Sequence, residues 1–180
     1  GVRTMKSLKT KVIVPLLLLA IIGIGSSFIG LRSLKQLGVV GNDIAARKVP
    51  IIITLDAISA NVEQLQQLLL THSVMDTKED KQEVMENIST SAATLKAYLE
   101  KYKELTSDET SYIQLSDIYE EYMQSYKETL SLSTTNNTRE VSANVNGVLS
   151  ELFQKLNDKV QTMIQQNQVD IGNHIGISQF

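Results

Sequence analysis

From Leu55 onward, apolar side chains recur at Leu55, Ile58, Val62, Leu65 and Leu69, and His72 completes a 3-4-3-4-3 series. A helix turns once per 3.6 residues, so this spacing puts all six on one face, as a bundle seam requires. A second seam runs through Val84, Ile88, Ala92, Leu95, Leu99 and Tyr102, and a third through Tyr112, Leu115, Tyr119, Tyr122, Tyr126 and Leu130. The fourth reads Val141, Val145, Val148, Leu152, Leu156, Val160 and Met163. No segment alternates with the period of two that marks a half-buried strand. The pattern predicts an all-α chain of four helices.

Short polar stretches separate the seams. "MDTKED" precedes the second helix, with Asp76 or Thr77 able to cap it, and "TSDET" precedes the third, with Ser107 or Asp108 in that role. "STTNNTRE" precedes the fourth, and its Asn-Asn pair suits a turn. Connections this short force antiparallel neighbours, so the expected architecture is an up-down four-helix bundle. The lengths differ. Helix one can run over 31–75 and helix four over 137–180, on the order of 60 Å each, against on the order of 40 Å for helices two and three. Two long outer helices make sense if both continue to a membrane, one from a span before it and one towards a span beyond Phe180; the chain reads as truncated.

A span does lie before the first helix. Val12–Leu31 is free of charge over 20 positions, about 30 Å as a helix, the thickness of a bilayer's hydrocarbon core. "GIGSS" offers a signal-peptide cleavage site after Gly25, but "FIGL" continues the apolar run past it, so the segment reads as a retained anchor with a cleaved signal as the alternative. Arg3, Lys6, Lys9 and Lys11 precede the span with no acidic residue among them, which keeps the N-terminus inside. The expected organisation is a cytoplasmic N-terminus at 1–11, a transmembrane helix at 12–31 continuous with helix one, and an extracytoplasmic bundle at 32–180. Pro15 falls in the first turn of the span, where a missing N–H does little harm, and Met5 is a possible true start.

Composition narrows the function. Residues 32–180 carry all 20 acidic residues against 13 basic ones, which argues against nucleic-acid binding. The absence of cysteine removes disulfides and thiolate metal sites. No phosphate loop and no nucleophile–histidine–acid set occurs, so neither an enzyme nor a cofactor is expected. His72 and Asp76 share a face at i, i+4 spacing, too few ligands for a metal site. Six tyrosines fall between Tyr98 and Tyr126; an aromatic cage is conceivable, but tyrosines at seam positions pack their rings and send the hydroxyl to the edge. Gly172 and Gly176 form a weak small-xxx-small match, and "NIS" and "NNT" fit a glycosylation pattern without a secretory context to support it.

The order of basic N-terminus, apolar span, "LRSLKQLGVVGNDIAARKVPIIITLDAI" and three further amphipathic helices resembles the sensor region of bacterial methyl-accepting chemotaxis proteins. The most specific piece is "ARKVPIIITLDAISANVEQL", with Lys48 and Pro50 before a long polar-aliphatic helix. The resemblance implies a homodimeric ligand-binding domain outside the bacterial cytoplasmic membrane, and a second span leading to a cytoplasmic hairpin that controls a histidine kinase. None of that hairpin is in this sequence. The same bundle can serve a sensor histidine kinase or a cyclic-dinucleotide enzyme, and a membrane-anchored structural bundle is a further alternative.

The first helix also carries the candidate site. Among 27 residues from Val49 to Met75 only Asp56 and Glu63 carry a full charge. Beside the seam runs a second uncharged stripe, Thr54, Ala57, Asn61, Gln64, Leu68 and Thr71. A solvated helix face normally carries lysine and glutamate, so a partner subunit is expected to cover Thr54, Ala57, Asn61, Gln64 and Leu68. A small ligand or a binding protein would meet this face, with Asn61, Gln64 and Thr71 as hydrogen-bonding candidates. Family members that bind amino acids grip the carboxylate with arginines on the first helix; Val49–Met75 has none, so that mode does not transfer.

Overall fold

The structure, a computed structural model, describes residues 43–178, with side chains over 46–173. The expected span at 12–31, the N-terminus at 1–11 and the start of helix one at 31–42 lie outside the described residues. Those residues form helices and no strand: α1 (Asp43–Val74), α2 (Lys78–Leu105), α3 (Glu109–Thr134), α4 (Thr138–Asn146) and α5 (Val148–Ser178). Together α4 and α5 make the fourth helix of the bundle. None of the described helices is long and apolar enough to cross a membrane.

The helix starts are fixed by side chains. Thr77 caps α2: its hydroxyl oxygen accepts from the Asp80 N–H at 3.1 Å and its O–H donates to the Asp80 carboxylate at 2.6 Å. Asp108 caps α3, accepting from both the N–H (3.0 Å) and the hydroxyl (2.6 Å) of Ser111. Inside α1, Pro50 removes one backbone donor, and the carbonyl four residues before it belongs to Ala46, an exposed residue. The Pro50 carbonyl itself accepts the Thr54 hydroxyl at 2.8 Å.

The fourth helix is broken, where the sequence predicts one continuous helix. Gly147 sits at φ −105°, ψ −105°, its N–H still bonded to the Ala143 carbonyl at 2.9 Å. A Cβ here would lie 2.9 Å from that carbonyl oxygen, so a side chain would force the backbone to move. The break also shifts the seam. Val148 is 55% exposed and Leu149 is fully buried, the reverse of the predicted assignment. In α2 a similar one-residue shift buries Ser91 in place of Ala92, and the Ser91 hydroxyl has no hydrogen-bond partner.

The first seam is buried throughout, from Leu55 to His72. Fully burying one leucine is worth about 1.5–3 kcal/mol, so this row anchors the core. Tyr102, Tyr122 and Tyr126 are buried as well, the Tyr126 hydroxyl donating to the Leu65 carbonyl at 2.7 Å and the Tyr122 hydroxyl to Gln66 Oε1 at 3.1 Å. Burial pushes both phenols well above their ordinary range. These rings fill the core.

The packing is asymmetric. α1 touches each of the other helices, most extensively α2 and α5, whereas α2 makes no substantial contact with α4 or α5. α1 is the inner helix. The start of α1, the α2–α3 connection and the late part of α5 share one end, here called basal; the α1–α2 and α3–α4 connections form the distal end.

Candidate functional site

Polar side chains from different helices meet at both ends of the bundle and along the α1–α5 seam. At the distal end, His72 closes the α1 seam, and its Nδ1 lies 2.6 Å from the Ser133 hydroxyl of α3, with both residues buried. Lys81, in the first turn of α2, donates to the Ser133 carbonyl and, at 2.7 Å, to Oδ1 of Asn136. A cation in the first turn opposes its own helix dipole, but this one lies at the end of α3, where carbonyls lack intrahelical partners and positive charge is favoured. Asn136 adopts φ 59°, a left-handed conformation that asparagine tolerates. One serine thus joins α1, α2 and α3.

Beside this joint opens a cavity of about 400 Å³, lined among others by His72, Asp76, Lys78, Lys81, Gln82 and Asn136. Burial, and after it the Lys81 charge, holds the His72 imidazole below its ordinary range, so it is neutral at pH 7. Burial also draws Lys81 down, opposed by the Asp76 carboxylate.

The second place is the α1–α5 seam. The Ser59 hydroxyl donates to Asn157 Oδ1 at 2.6 Å, and nearer the basal end Lys48 pairs with Asp170 at 3.3 Å. Both contacts are only partly buried.

The third is a basal cleft of about 430 Å³ between the start of α1, the α2–α3 connection and α5. Ile51, Tyr102 and Met163 give it an apolar, buried floor. Arg47, Lys48, Lys159, Asp108 and Asp170 stand around it. The Ser111 hydrogen bonds hold Asp108 below the usual carboxylate range, and the charges of Lys159 and Lys48 act in the same direction.

The stripe beside the seam requires a correction. Thr54, Ala57, Asn61 and Leu68 are buried by the chain's own helices, because α1 is contacted by all the others. The missing charges are explained without a partner subunit at these four positions. Asn61 donates to the Ala57 carbonyl at 3.0 Å, within its own helix. Gln64 and Thr71 are half-exposed, and the Thr71 hydroxyl donates to the Gln67 carbonyl at 2.9 Å. None of Asn61, Gln64 and Thr71 lines either cavity. Sequence reasoning passed over Lys81, Ser133, Arg47 and Asp170. Of these only Lys81 left a local signal, a basic residue at a helix start.

The chain belongs to the family described as the four helix bundle sensory module for signal transduction, whose model matches residues 5–170. No curated protein and no solved structure matches the chain.

Proposed function

We propose that this chain is the sensor region of a bacterial chemoreceptor, anchored by residues 12–31 with its N-terminus inside and the bundle outside the cytoplasmic membrane. It detects a small molecule or a binding protein and performs no catalysis. Signal leaves as a small displacement of α5 relative to α1. The observation that carries this reading is the character of the α1–α5 seam. Ser59–Asn157 and Lys48–Asp170 are partly exposed polar contacts, which exchange partners more readily than interlocked apolar side chains. Packed helices slide by about 1–2 Å between alternative arrangements, and a ligand selects one by its differential affinity.

The module works as a homodimer in this reading, through the outward face of α1 and not the buried stripe. That face carries Ile53, Ala60, Gln67, Leu70 and Val74 together with the charges of Asp56 and Glu63, flanked by Gln64 and Thr71, with Leu70 46% and Val74 55% exposed.

The test needs no ligand. Residues 1–178 are fused to the second membrane span and cytoplasmic part of a chemoreceptor, and Ser59→Cys and Asn157→Cys are introduced together. Disulfide formation should lock the kinase output at one level, reversibly on reduction. An output indifferent to the crosslink, in a chimera whose kinase is active and membrane-inserted, contradicts the proposal.

A further inference from the structure

We propose that the basal cleft is a binding site for a small organic monoanion, a carboxylate with a compact apolar body, held by Arg47 and Lys159 over the floor of Ile51, Tyr102 and Met163. The argument starts from charge. Three cations and two carboxylates surround the cleft, leaving one positive charge on a chain whose formal net charge is −3. Both carboxylates are engaged. Asp108 accepts twice from Ser111, and Asp170 accepts from Lys48 at 3.3 Å and from the Gln166 amide at 3.3 Å. An incoming ammonium group would have to displace one of these.

The cations are less committed. Among the residues whose side chains are described, 46–173, Arg47 has no hydrogen-bond or ion-pair partner, and Lys159 donates to a neutral acceptor, Gln114 Oε1. A guanidinium offers two parallel donors to a carboxylate, and such charge-assisted pairs are stronger than neutral hydrogen bonds. A dianion such as phosphate matches less well, because a second negative charge would face Asp108 and Asp170 across the same cleft. The apolar floor favours a carbon body over a bare inorganic ion. The volume, about 430 Å³, is in the range of small-molecule sites.

The occupant would touch α1, α2, the α2–α3 connection and α5 at once, and would sit beside the Lys48–Asp170 pair. Attraction of Lys48 towards the ligand would loosen that contact. This coupling rests on the signalling reading above, whereas binding itself does not.

The experiment is calorimetric titration of the full 180-residue chain in detergent with butyrate, benzoate and phenylacetate, and with butyramide, benzamide and inorganic phosphate as controls. At least one carboxylate should bind saturably with a Kd on the order of 1 mM or tighter. Its amide and phosphate should bind at least about tenfold more weakly. Arg47→Gln and Lys159→Gln should each weaken the carboxylate by about tenfold with the melting temperature unchanged, while Lys155→Gln, the same charge change in an exposed pair with Glu121, should leave it intact. No saturable binding of any carboxylate up to about 20 mM overturns the proposal. So does equal binding of the amide or of phosphate, or a Kd indifferent to both Arg47→Gln and Lys159→Gln.

Discussion

The two ends of the bundle use similar side chains in opposite ways. At the distal end His72, Ser133, Lys81 and Asn136 bond to one another, and the first two are buried. At the basal end Arg47, Lys48, Lys159, Asp108 and Asp170 stand around an open cleft, and the one ion pair among them has side chains 29% and 37% exposed. A buried hydrogen bond is costly to leave unmade, whereas an exposed ion pair is worth about 0–1 kcal/mol. The distal end is therefore a clamp, and the basal end is free to rearrange. Under the proposed function, in which a displacement passes towards a membrane, this places compliance next to the output.

Substitutions at the clamp should show the largest effects. His72→Ala leaves a cavity and an unpaired Ser133 hydroxyl, and should cost about 2–4 kcal/mol by urea denaturation. Lys81→Met removes the charged donor to the Ser133 carbonyl, which keeps the Asn136 N–H at 3.2 Å, and should cost about 1–2 kcal/mol. Lys48→Met at the basal end should cost no more than about 1 kcal/mol, and Arg47→Gln no more than about 0.5 kcal/mol. A basal change that destabilises as much as a distal one would erase the distinction.

Acid should act on the clamp. The folded pKa of His72 is lowered, so its contribution to stability is fully present above the unfolded value near 6.5 and is lost as pH falls through the folded value. The groups facing it are Lys81 and Lys78 from α2, Asp76 from the connection and Ser133 from α3. Protonation adds a charge beside Lys81. The melting temperature of the wild type should fall more steeply between about pH 6.5 and 5 than that of a His72→Gln variant. The chain has two histidines, His72 and His174, so the His72 resonance can be followed directly by NMR. A His72 that titrates at or above the unperturbed value would remove the effect.

What the sequence disclosed follows the same division between local and long-range causes. The α1 seam was legible because six positions repeat a helical period, and each is buried. The caps were legible to within one residue, since Thr77 and Asp108 act on neighbours three positions ahead. Val148 and Leu149 were exchanged because either satisfies the period after Val145, and only the break at Gly147 decides between them. Four of the six stripe positions, Thr54, Ala57, Asn61 and Leu68, are covered, and a pattern on one helix does not say which element covers them. Here the asymmetric packing of α1 does. Lys81 and Ser133 are 52 residues apart, and a single polar contact at that separation leaves no periodic trace.

The most direct test of this account is native-state hydrogen exchange on the folded chain, comparing the distal half of α3 around Tyr122–Ser133 with the basal half of α5 around Val160–Asp170. The account predicts that the distal amides open only with global unfolding, and that the basal amides exchange through smaller local openings. Equal protection at the two ends, or faster exchange at the distal end, would contradict a clamped distal end and a compliant basal one.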